Sequence, residues 1–430
     1  MKFLSTRHKT TPTDLSLALT QGLAPDGGLF IPETLPSIDL SLFSSSMPYE
    51  VFVKTLLNPF FESDQLQPYL QHLCDEAFSF PAPLVSLEKN THVLELFHGP
   101  TLSFKDFGAR FLGEALHQMN PHSSPMKTIL VATSGDTGSA VASAFYGKPG
   151  YRVVILYPEN QISERQAHQI TCWDKNIFSF AVQGNFDTCQ ALVKSAFSSP
   201  EWQQHEILSS ANSINIGRLL PQMGYYAFTS FHFYETHQCA PNFIVPTGNL
   251  GNATAAYWAK AMGFPIHRIV LATNANHVIS DYLETHHYTP RQSIQTMANA
   301  MDVGNPSNFE RLQSLFPTFD EFKKEVRAFS VNDEEIKKTI QHIAKRYDYI
   351  SCPHTATAFY ARQQLGDEPY IVVATAHPCK FDELIEPLIH RPVPLAPALE
   401  TLLHQPTRVT SIAPDLHLIR KAIYDMEERT

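Results

Sequence analysis

The stretch HVLELFHGPTLSFKDFG, residues 92–108, contains a strand, a turn and the start of a helix. The apolar run 92–97 predicts a buried strand, and the Gly-Pro pair that follows it ends that strand. Ser103 and Asp106 have the spacing of a helix capping box, so we expect Ser103 to be the N-cap of a helix that ends near Met119. A buried strand followed closely by a helix is typical of an α/β fold.

Lys105 lies in the first turn of this predicted helix. A cation is disfavoured there, because the helix dipole places partial positive charge at the N-terminus. Burial would lower the pKa of the ammonium group further, and a neutral amine is the form that attacks an aldehyde. Taken alone, the tetrapeptide Ser-Phe-Lys-Asp favours an ordinary surface lysine, so the interpretation of Lys105 depends on the rest of the chain.

Strands and helices alternate from residue 92 onward. The strands are continuous apolar runs, which indicates parallel sheets with both faces covered by helices. The pattern therefore predicts an α/β protein with wound, mostly parallel sheets. The predicted strands are 92–97, 127–133, 152–157, 177–182, 242–246, 268–273 and 370–375. The predicted helices are 104–119, 138–147, 186–197, 217–234, 253–263, 333–347 and an amphipathic helix over 415–428.

The chain divides into four predicted segments. Residues 1–82 combine short helical patterns with turns and predict a small, mainly helical N-terminal domain. We expect a smaller α/β subdomain over residues 83–210, a larger α/β domain over 211–400 and a C-terminal helical extension over 401–430. Residues 280–330 are rich in Asn, Pro and Ser and predict long loops with short helices.

Composition excludes several classes of protein. The 430 residues, of which 43% are hydrophobic and 17% charged, are typical of a globular chain with a large core. The net charge of −10 argues against a nucleic-acid partner. We expect no membrane span, since the apolar runs are of strand length, and no secretory signal is visible. Six cysteines without a CxxC pair indicate free thiols in a reducing cytoplasm, and we expect no metal site. The sequence leaves the oligomeric state open.

Three polar loops follow predicted strands, at the strand ends where open α/β sheets bind ligands. TGNLGN, residues 247–252, precedes a helix and suits a phosphate group, because its glycines permit close approach to backbone N–H groups. TSGDTG, residues 133–138, offers hydroxyl and N–H groups that suit a carboxylate. TAHPCK, residues 375–380, forms the third loop. Each pattern alone is weak, and TGNLGN is neither a GxGxxG nor a P-loop motif.

A lysine, a phosphate loop, a carboxylate loop and a strand-end hydroxyl are together the groups that hold pyridoxal phosphate and an amino acid. The motifs that carry them resemble those of the threonine synthase family, in the same order and over essentially the whole chain. The N-terminal sequence SLALTQGLAPDGGLFIPETLP resembles the additional domain of the longer bacterial and fungal members. The matching motifs are ELFHGPTLSFKDFG (95–108), ATSGDTGSAVASAFYG (132–147), SANSINIGRLL (210–220), PTGNLGNATA (246–255) and TAHPCKF (375–381).

The resemblance implies fold type II of the pyridoxal phosphate enzymes, the tryptophan synthase β group, with residues 211–400 as the cofactor-binding domain. It implies that Lys105 is the catalytic lysine and the covalent attachment point of pyridoxal 5′-phosphate. Thr375 would face the pyridine nitrogen and Asp136 the ring oxygen. The cofactor phosphate would contact Gly248, Asn249, Leu250, Gly251 and Asn252. The substrate would contact Ser134, Thr137, Asn212, Asn215, Arg218 and Lys380.

Asp136 is a departure from many relatives of this fold, which have asparagine at that position, although the longer threonine synthases share the aspartate. An ionised aspartate cannot donate a hydrogen bond to the ring oxygen.

The implied reaction converts O-phospho-L-homoserine and water into L-threonine and phosphate, the last step of threonine biosynthesis. One alternative is a phospho-lyase that forms 2-oxobutyrate from the same substrate. A second alternative is a non-catalytic binding protein with this fold, against which the intact Lys105 counts. A nicotinamide oxidoreductase is the generic interpretation of a wound sheet, and the missing GxGxxG motif counts against it.

Overall fold

The computed structural model describes residues 1–120 and 125–427. In chain order its strands are β1 (Phe3–Ser5), β2 (Phe30–Pro32), β3 (Leu84–Glu88), β4 (Thr91–Glu95), β5 (Lys127–Ala132), β6 (Tyr151–Pro158), β7 (Ile177–Val182), β8 (Ile207–Ser209), β9 (Asn242–Pro246), β10 (Ile269–Thr273), β11 (Arg327–Ser330), β12 (Tyr370–Ala374) and β13 (Thr410–Ile412).

The α-helices are α1 (Leu15–Gln21), α2 (Tyr49–Phe61), α3 (Leu70–Ala77), α4 (Lys105–Gln118), α5 (Asp136–Phe145), α6 (Glu164–Thr171), α7 (Phe186–Ser198), α8 (Pro200–His205), α9 (Ile216–Leu219), α10 (Gln222–His237), α11 (Gly251–Ala261), α12 (Val278–Thr285), α13 (Phe309–Leu315), α14 (Phe319–Glu325), α15 (Asp333–Tyr347), α16 (Pro353–Gln363), α17 (Asp382–Ile389), α18 (Pro397–Leu403) and α19 (Leu416–Glu427). Short 3₁₀ turns occupy Leu40–Leu42, Gln67–Tyr69, Asn299–Met301 and Pro378–Phe381.

Two separate sheets form the body of the molecule. The larger has the order β11-β10-β9-β12-β4-β3, and only its edge strand β3 runs antiparallel to its neighbour. The smaller has the order β13-β7-β6-β5-β8 and is parallel throughout. Strands β6, β7, β9, β10 and β12 are buried at every residue, as expected for sheets covered on both faces. The predicted α/β class with wound, mostly parallel sheets is confirmed.

Sheet membership does not follow the predicted segment boundaries. Strands β3 and β4 belong to the larger sheet, although both fall within the predicted smaller subdomain, residues 83–210. Strand β13, from the predicted extension 401–430, is the edge strand of the smaller sheet. The partner of a strand in a sheet depends on tertiary packing, and the sequence of the strand itself does not predict which strand that is. Residues 428–430 of the extension lie outside the described residues.

The N-terminal unit packs as part of the main core. Its two antiparallel strands β1 and β2, called the N-terminal hairpin below, are joined through α1 and followed by α2 and α3. Helix α2 packs on α10, and α3 packs on α4. Phe52, Phe60 and Phe61 are fully buried in a cluster that also contains Phe111 and Tyr225 from the α/β body. The unit therefore supports α4, which follows the loop after β4, and α10, which precedes β9.

Helix α4 begins differently from the prediction. Lys105 is its first residue, and Phe104 occupies the N-cap position without a side-chain cap. Ser103 is buried and its carbonyl oxygen accepts from the N–H of Asp106 at 3.1 Å, so the predicted Ser103 N-cap is wrong. The carboxylate of Asp106 instead accepts from the N–H and hydroxyl of Thr101, at 2.9 and 2.6 Å, and closes the turn before the helix.

The predicted helix 217–234 is two helices, α9 and α10, separated at Pro221. A proline that has no N–H to continue the ladder explains the break. The predicted loop region 280–330 contains short helices, as expected, and also strand β11, which the sequence pattern did not reveal.

Gly108 lets α4 pack closely on α9. A Cβ atom at this position would lie 2.6 Å from the carbonyl oxygen of Arg218, a backbone atom that cannot rotate away. We expect Gly108→Ala to lower the free energy of unfolding by about 1–3 kcal/mol, as for other overpacked sites, measured by urea denaturation. Gly366→Ala is the matched control, because nothing lies within 4 Å of its Cβ position. Equal losses in the two variants would contradict the close-packing argument.

Candidate active site

The predicted polar loops meet at one place because their strands are neighbours. Strands β9, β12 and β4 are adjacent in the larger sheet and end at the same edge. Backbone hydrogen bonds tie two of the loops together: the N–H of Phe104 donates to Thr375 at 2.9 Å, and that of His377 donates to Leu102 at 3.0 Å. The loop after β5 reaches the same place, since Asp136 contacts Lys380. The candidate site therefore lies where the two sheets approach each other.

Lys105 lies at the start of α4, close to charged groups from other loops. Its side chain keeps partial exposure, yet it is enclosed deeply enough that burial lowers the pKa of its ammonium group to about 8. Asp136 opposes this shift, whereas Arg218 and Lys380 add to it. A substantial fraction of the Lys105 amine is therefore neutral near physiological pH, as a nucleophile or base requires.

A buried ion pair lies beside Lys105. The Nζ of Lys380 is 2.8 Å from Oδ1 of Asp136 and donates to the carbonyl oxygen of Thr101 at 2.8 Å. Burial alone would raise the pKa of the Asp136 carboxyl, but Lys380 and Lys105 together hold it well below its usual range. Asp136 is therefore an ionised acceptor, which also receives a hydrogen bond from Nε2 of Gln166 at 3.0 Å.

The loop 133–138 is shaped by a residue that the sequence analysis did not single out. The hydroxyl oxygen of Thr133 accepts from the N–H groups of Gly135 at 3.1 Å and Gly138 at 3.0 Å. Gly135 has a φ of 140°, a conformation that L-residues rarely adopt. Within the described chain, the hydroxyl groups of Ser134 and Thr137 make no hydrogen bond to protein atoms, so both stay available to a ligand at the start of α5.

The loop 247–252 has the form of an anion cradle. The backbone N–H groups of residues 248–252 find no acceptor among the described residues, although all five belong to a loop and helix start packed inside the protein. Leu250 adopts a left-handed conformation with a φ of 61°, which turns the chain into α11. Consecutive free N–H groups at a helix N-terminus attract a phosphate.

The two glycines of this cradle have different roles. A Cβ on Gly248 would lie 2.7 Å from the backbone of Met301, so this glycine is required by protein packing. A Cβ on Gly251 would lie in ordinary contact with the side chain of Asn308, at 3.4 Å, and with that of Ser213, at 3.6 Å, so protein packing alone does not require glycine there. Asn252 accepts from the hydroxyl groups of two buried tyrosines through Oδ1, and its buried Nδ2 has no partner in the described part of the protein.

Asn212 and Arg218 also keep unused polar groups. Nδ2 of Asn212 donates to the carbonyl oxygen of Ala132 at 3.1 Å, which places this side chain beside the 133–138 loop, and its buried Oδ1 has no partner among described residues. Arg218 is buried, and burial lowers the pKa of its guanidinium to about 10. It donates to the carbonyl oxygen of Ala211, while its buried Nε has no acceptor in the described chain.

Asn215 and Asn249, in contrast, use their side chains for structure. Asn215 caps α9 and donates to the carbonyl oxygens of Leu19 and Ser210, at 2.9 and 3.0 Å. Asn249 donates to the hydroxyl of Ser213 at 2.6 Å. The cradle therefore offers the backbone of Asn249, and not its amide, to a ligand.

Thr375 is buried at the end of β12, where its N–H donates to the hydroxyl of Thr355 at 3.3 Å. The hydroxyl of Thr375 makes no hydrogen bond to any described protein group. It is therefore free to face a ligand that lies between Lys105 and the larger sheet.

Four polar residues that organise the site were not singled out from the sequence. Thr133 acts within its own loop, whereas the other three act through contacts that are distant along the chain, so no local motif reveals them. Gln166, for example, is recognisable as the third residue of the α6 capping box with Ser163, but its contact with Asp136 depends on how α6 docks. The four are Thr133, Gln166, Tyr225 and Tyr226.

These groups fit pyridoxal 5′-phosphate. The free N–H groups of 248–252 suit its phosphate, and Lys105 suits its aldehyde. The unpartnered hydroxyl of Thr375 suits a pyridine nitrogen, since a hydroxyl can donate to an unprotonated ring.

Comparisons with known proteins agree with this fit. Three protein-family models match the chain. The family of pyridoxal-phosphate dependent enzymes matches residues 80–375. The families of the threonine synthase N terminus and of the threonine synthase C-terminal part match residues 2–78 and 354–423. The threonine synthase of Escherichia coli is 38% identical over 425 residues, which are 98% of this chain and 99% of that protein. The Serratia marcescens threonine synthase is 39% identical over 403 residues, 93% of each chain.

Solved structures agree as well. The Escherichia coli threonine synthase structure superposes with a TM-score of 0.92 at 37% identity and covers 99% of this chain and 100% of its own. The threonine synthase of Brucella melitensis, described as bound to pyridoxal phosphate, gives a TM-score of 0.89 at 33% identity and covers 99% of both chains. A tomato threonine deaminase, with a TM-score of 0.55 and 15% identity, shares the fold alone. The chain therefore belongs to the threonine synthase family of pyridoxal-phosphate-dependent enzymes.

Proposed function

We propose that this protein converts O-phospho-L-homoserine and water into L-threonine and inorganic phosphate. The observation that carries the proposal is the position of Lys105, whose partly neutral amine lies beside Asp136 and Lys380 at the meeting point of the cofactor and substrate loops. Family membership supports the reaction, and the free polar groups of the site support the assignment of individual residues.

The cofactor is held by the larger sheet. The N–H groups of residues 248–252 bind its phosphate, Nδ2 of Asn252 adds a further donor, and Thr375 donates to the pyridine nitrogen. A neutral hydroxyl partner leaves that nitrogen unprotonated, which weakens the electron sink and limits side reactions such as transamination. Asp136 acts on the ring oxygen only as an acceptor, because Lys380 keeps it ionised.

The substrate is held between the two sheets. Ser134, Thr137 and the first N–H groups of α5 bind its carboxylate. Arg218 and Asn212, whose unused polar groups face no protein partner in the described chain, bind its phosphate. Asn215 and Lys380 act on the substrate indirectly, since their polar atoms are already bonded to protein.

Pyridoxal phosphate supplies the electron sink that makes the hydrogen on the substrate Cα acidic. Lys105, whose amine is partly neutral with a pKa of about 8, would be the base that accepts that proton. Exclusion of bulk water by the surrounding loops protects the reacting carbons until one water adds at Cβ. The departing γ-phosphate stays beside the cationic Arg218.

We also propose a cytoplasmic location. All six cysteines are free thiols, five of them buried, which is typical of a reducing compartment. Among the described helices, none is long and apolar enough to cross a membrane.

The product from O-phospho-L-homoserine tests the proposed reaction. We expect L-threonine and phosphate in equal amounts, measured by amino-acid chromatography and a phosphate assay. In oxygen-18 water, the threonine hydroxyl should carry the label, because the oxygen at Cβ comes from solvent. Formation of 2-oxobutyrate with no threonine would contradict the proposal and favour the phospho-lyase.

Borohydride reduction tests the attachment point. We expect the purified protein to absorb in the near-visible and to carry reduced cofactor on Lys105 after borohydride treatment, as located by peptide mass spectrometry. Lys105→Ala should lose both the attachment and nearly all turnover. Lys380→Met is the matched control, since it removes the other buried lysine of the site and should leave attachment at Lys105 intact. Reduced cofactor on Lys380 would overturn the assignment.

Lys380→Met also tests the electrostatic role of the ion pair. Without Lys380, protonated Lys105 becomes the main cation that keeps the Asp136 carboxyl ionised, and one repulsive charge on Lys105 is lost, so the pKa of Lys105 should rise from about 8. Less neutral amine then exists at pH 7, and the rate of cofactor capture by cofactor-free protein should fall there and recover at higher pH. Stopped-flow absorbance over a pH series measures this shift. Lys260→Met, which breaks a half-exposed pair with Glu325, should leave the profile unchanged.

A further inference from the structure

Arg311, on α13, is a buried cation without an anionic partner. Its exposed fraction is 0%, and no carboxylate of the described chain lies within ion-pair distance of its guanidinium. Every donor instead meets a neutral oxygen: Nε and Nη2 donate to Phe30 at 3.0 Å, Nη2 to Ile214 at 2.8 Å, and Nη1 to Ser213 at 3.2 Å and to Oδ1 of Asn308 at 2.7 Å.

The acceptors of Arg311 come from three distant parts of the chain. Phe30 belongs to strand β2 of the N-terminal unit, Ser213 and Ile214 belong to the loop before α9, and Asn308 immediately precedes α13. Arg311 therefore connects the N-terminal hairpin to two loops of the α/β body through five hydrogen bonds.

The same loops hold the phosphate cradle. Nδ2 of Asn308 donates to the carbonyl oxygen of Asn249 at 3.0 Å, and Nδ2 of Asn249 donates to the hydroxyl of Ser213 at 2.6 Å. Oδ1 of Asn249 accepts from the N–H of Ser307. Asn249 is thus fixed by the two residues, Ser213 and Asn308, that Arg311 itself binds, and its orientation leaves the N–H groups of 248–252 unused.

An uncompensated charge in the protein interior is costly, by several kcal/mol. Burial lowers the pKa of Arg311 to about 9, so the group stays a cation at neutral pH. Neutral carbonyl oxygens satisfy its hydrogen bonds but do not cancel its charge, and Glu310, a carboxylate that acts on it without forming an ion pair, is itself paired with Arg7. The anion that would complete the balance is one placed in the adjacent cradle.

We propose that Arg311 is a positioning residue that holds the 247–252 loop in its phosphate-binding shape, supplies the counter-charge for the bound phosphate, and makes the N-terminal hairpin part of the cofactor site. This inference rests on the proposed function, in which that loop binds the phosphate of pyridoxal phosphate. It extends the cofactor site to a residue more than fifty positions from the glycine motif.

Two aldehydes that differ only in the phosphate separate this role from a general structural one. The dissociation constants of pyridoxal phosphate and of pyridoxal are measured by titration of cofactor-depleted full-length protein, followed in the near-visible. Arg311→Gln should weaken the binding of pyridoxal phosphate about tenfold or more, because the positive charge and the shape of the 247–252 loop are both lost. Pyridoxal, which lacks the phosphate, should change less than about twofold in the same variant.

Arg311→Lys covers the case in which Arg311→Gln does not fold. Lysine keeps the charge but cannot reach the separate oxygens that the planar guanidinium joins. Arg311→Lys should weaken the binding of pyridoxal phosphate about threefold, less than Arg311→Gln does, and leave the binding of pyridoxal nearly unchanged. The ³¹P resonance of the bound cofactor should move from its wild-type position. Arg7→Gln is the matched control. Arg7 also joins the N-terminal unit to α13, through an ion pair with Glu310, but its side chain is about half exposed. It should behave as wild type with both aldehydes.

The outcomes separate this inference from the proposed function. If wild-type protein attaches no pyridoxal phosphate at Lys105, the proposed function itself fails. If wild type binds normally and the Arg311 variants weaken pyridoxal phosphate and pyridoxal equally, or weaken neither, Arg311 is only a packing residue and the inference is overturned.

Hydrogen exchange tests the link to the N-terminal hairpin in the holoenzyme. Cofactor removal from wild type should speed amide exchange in β1 and β2, whose contact with Arg311 is through Phe30. The effect should disappear in Arg311→Lys, where the connection is already broken. Unchanged exchange in β1 and β2 on cofactor removal from wild type would refute the coupling.

Discussion

The ion pair between Lys380 and Asp136 is the interaction on which the site depends. It joins the loop after β12 in the larger sheet to the start of α5 in the smaller sheet, at 2.8 Å and out of contact with water. Removal of one partner from such a pair typically costs about 3–5 kcal/mol, because the other charge is left buried. The pair also keeps Asp136 ionised beside Lys105, so the junction of the two sheets places an anion that opposes the lowering of the Lys105 pKa by burial.

Contacts around this pair reinforce the same junction. The hydroxyl of Ser163, at the N-cap of α6, donates to the carbonyl oxygen of Lys380 at 2.8 Å, and Arg165 donates to that of Cys379 at 2.6 Å. Arg165 also pairs with Asp382 at 2.6 Å. Helix α6, which follows β6 of the smaller sheet, is therefore hydrogen-bonded to the turn that carries Lys380.

Much of the fold was predictable because its signals are local. Continuous apolar runs predicted the central strands β5, β6, β7, β9, β10 and β12 within one or two residues of their observed bounds. The short edge strands β8, β11 and β13 were missed, since three or four residues carry too little pattern to distinguish a strand from a loop. Ser103 failed as an N-cap because Asp106 bonds Thr101 instead, a choice made by the tight turn and not by residue spacing.

The sequence by itself determined the class of fold and singled out the lysine and the glycine loop as candidates for the site, because each depends on residues that are neighbours along the chain. Only the tertiary structure decided that Lys380 is neutralised by Asp136, whereas Arg218 keeps a free donor. It also decided that Arg311, in an unremarkable helix, lies behind the phosphate loop. Charges in a protein interior act over distances set by packing and dielectric, so their partners depend on how separate segments dock and cannot be read from the segments themselves.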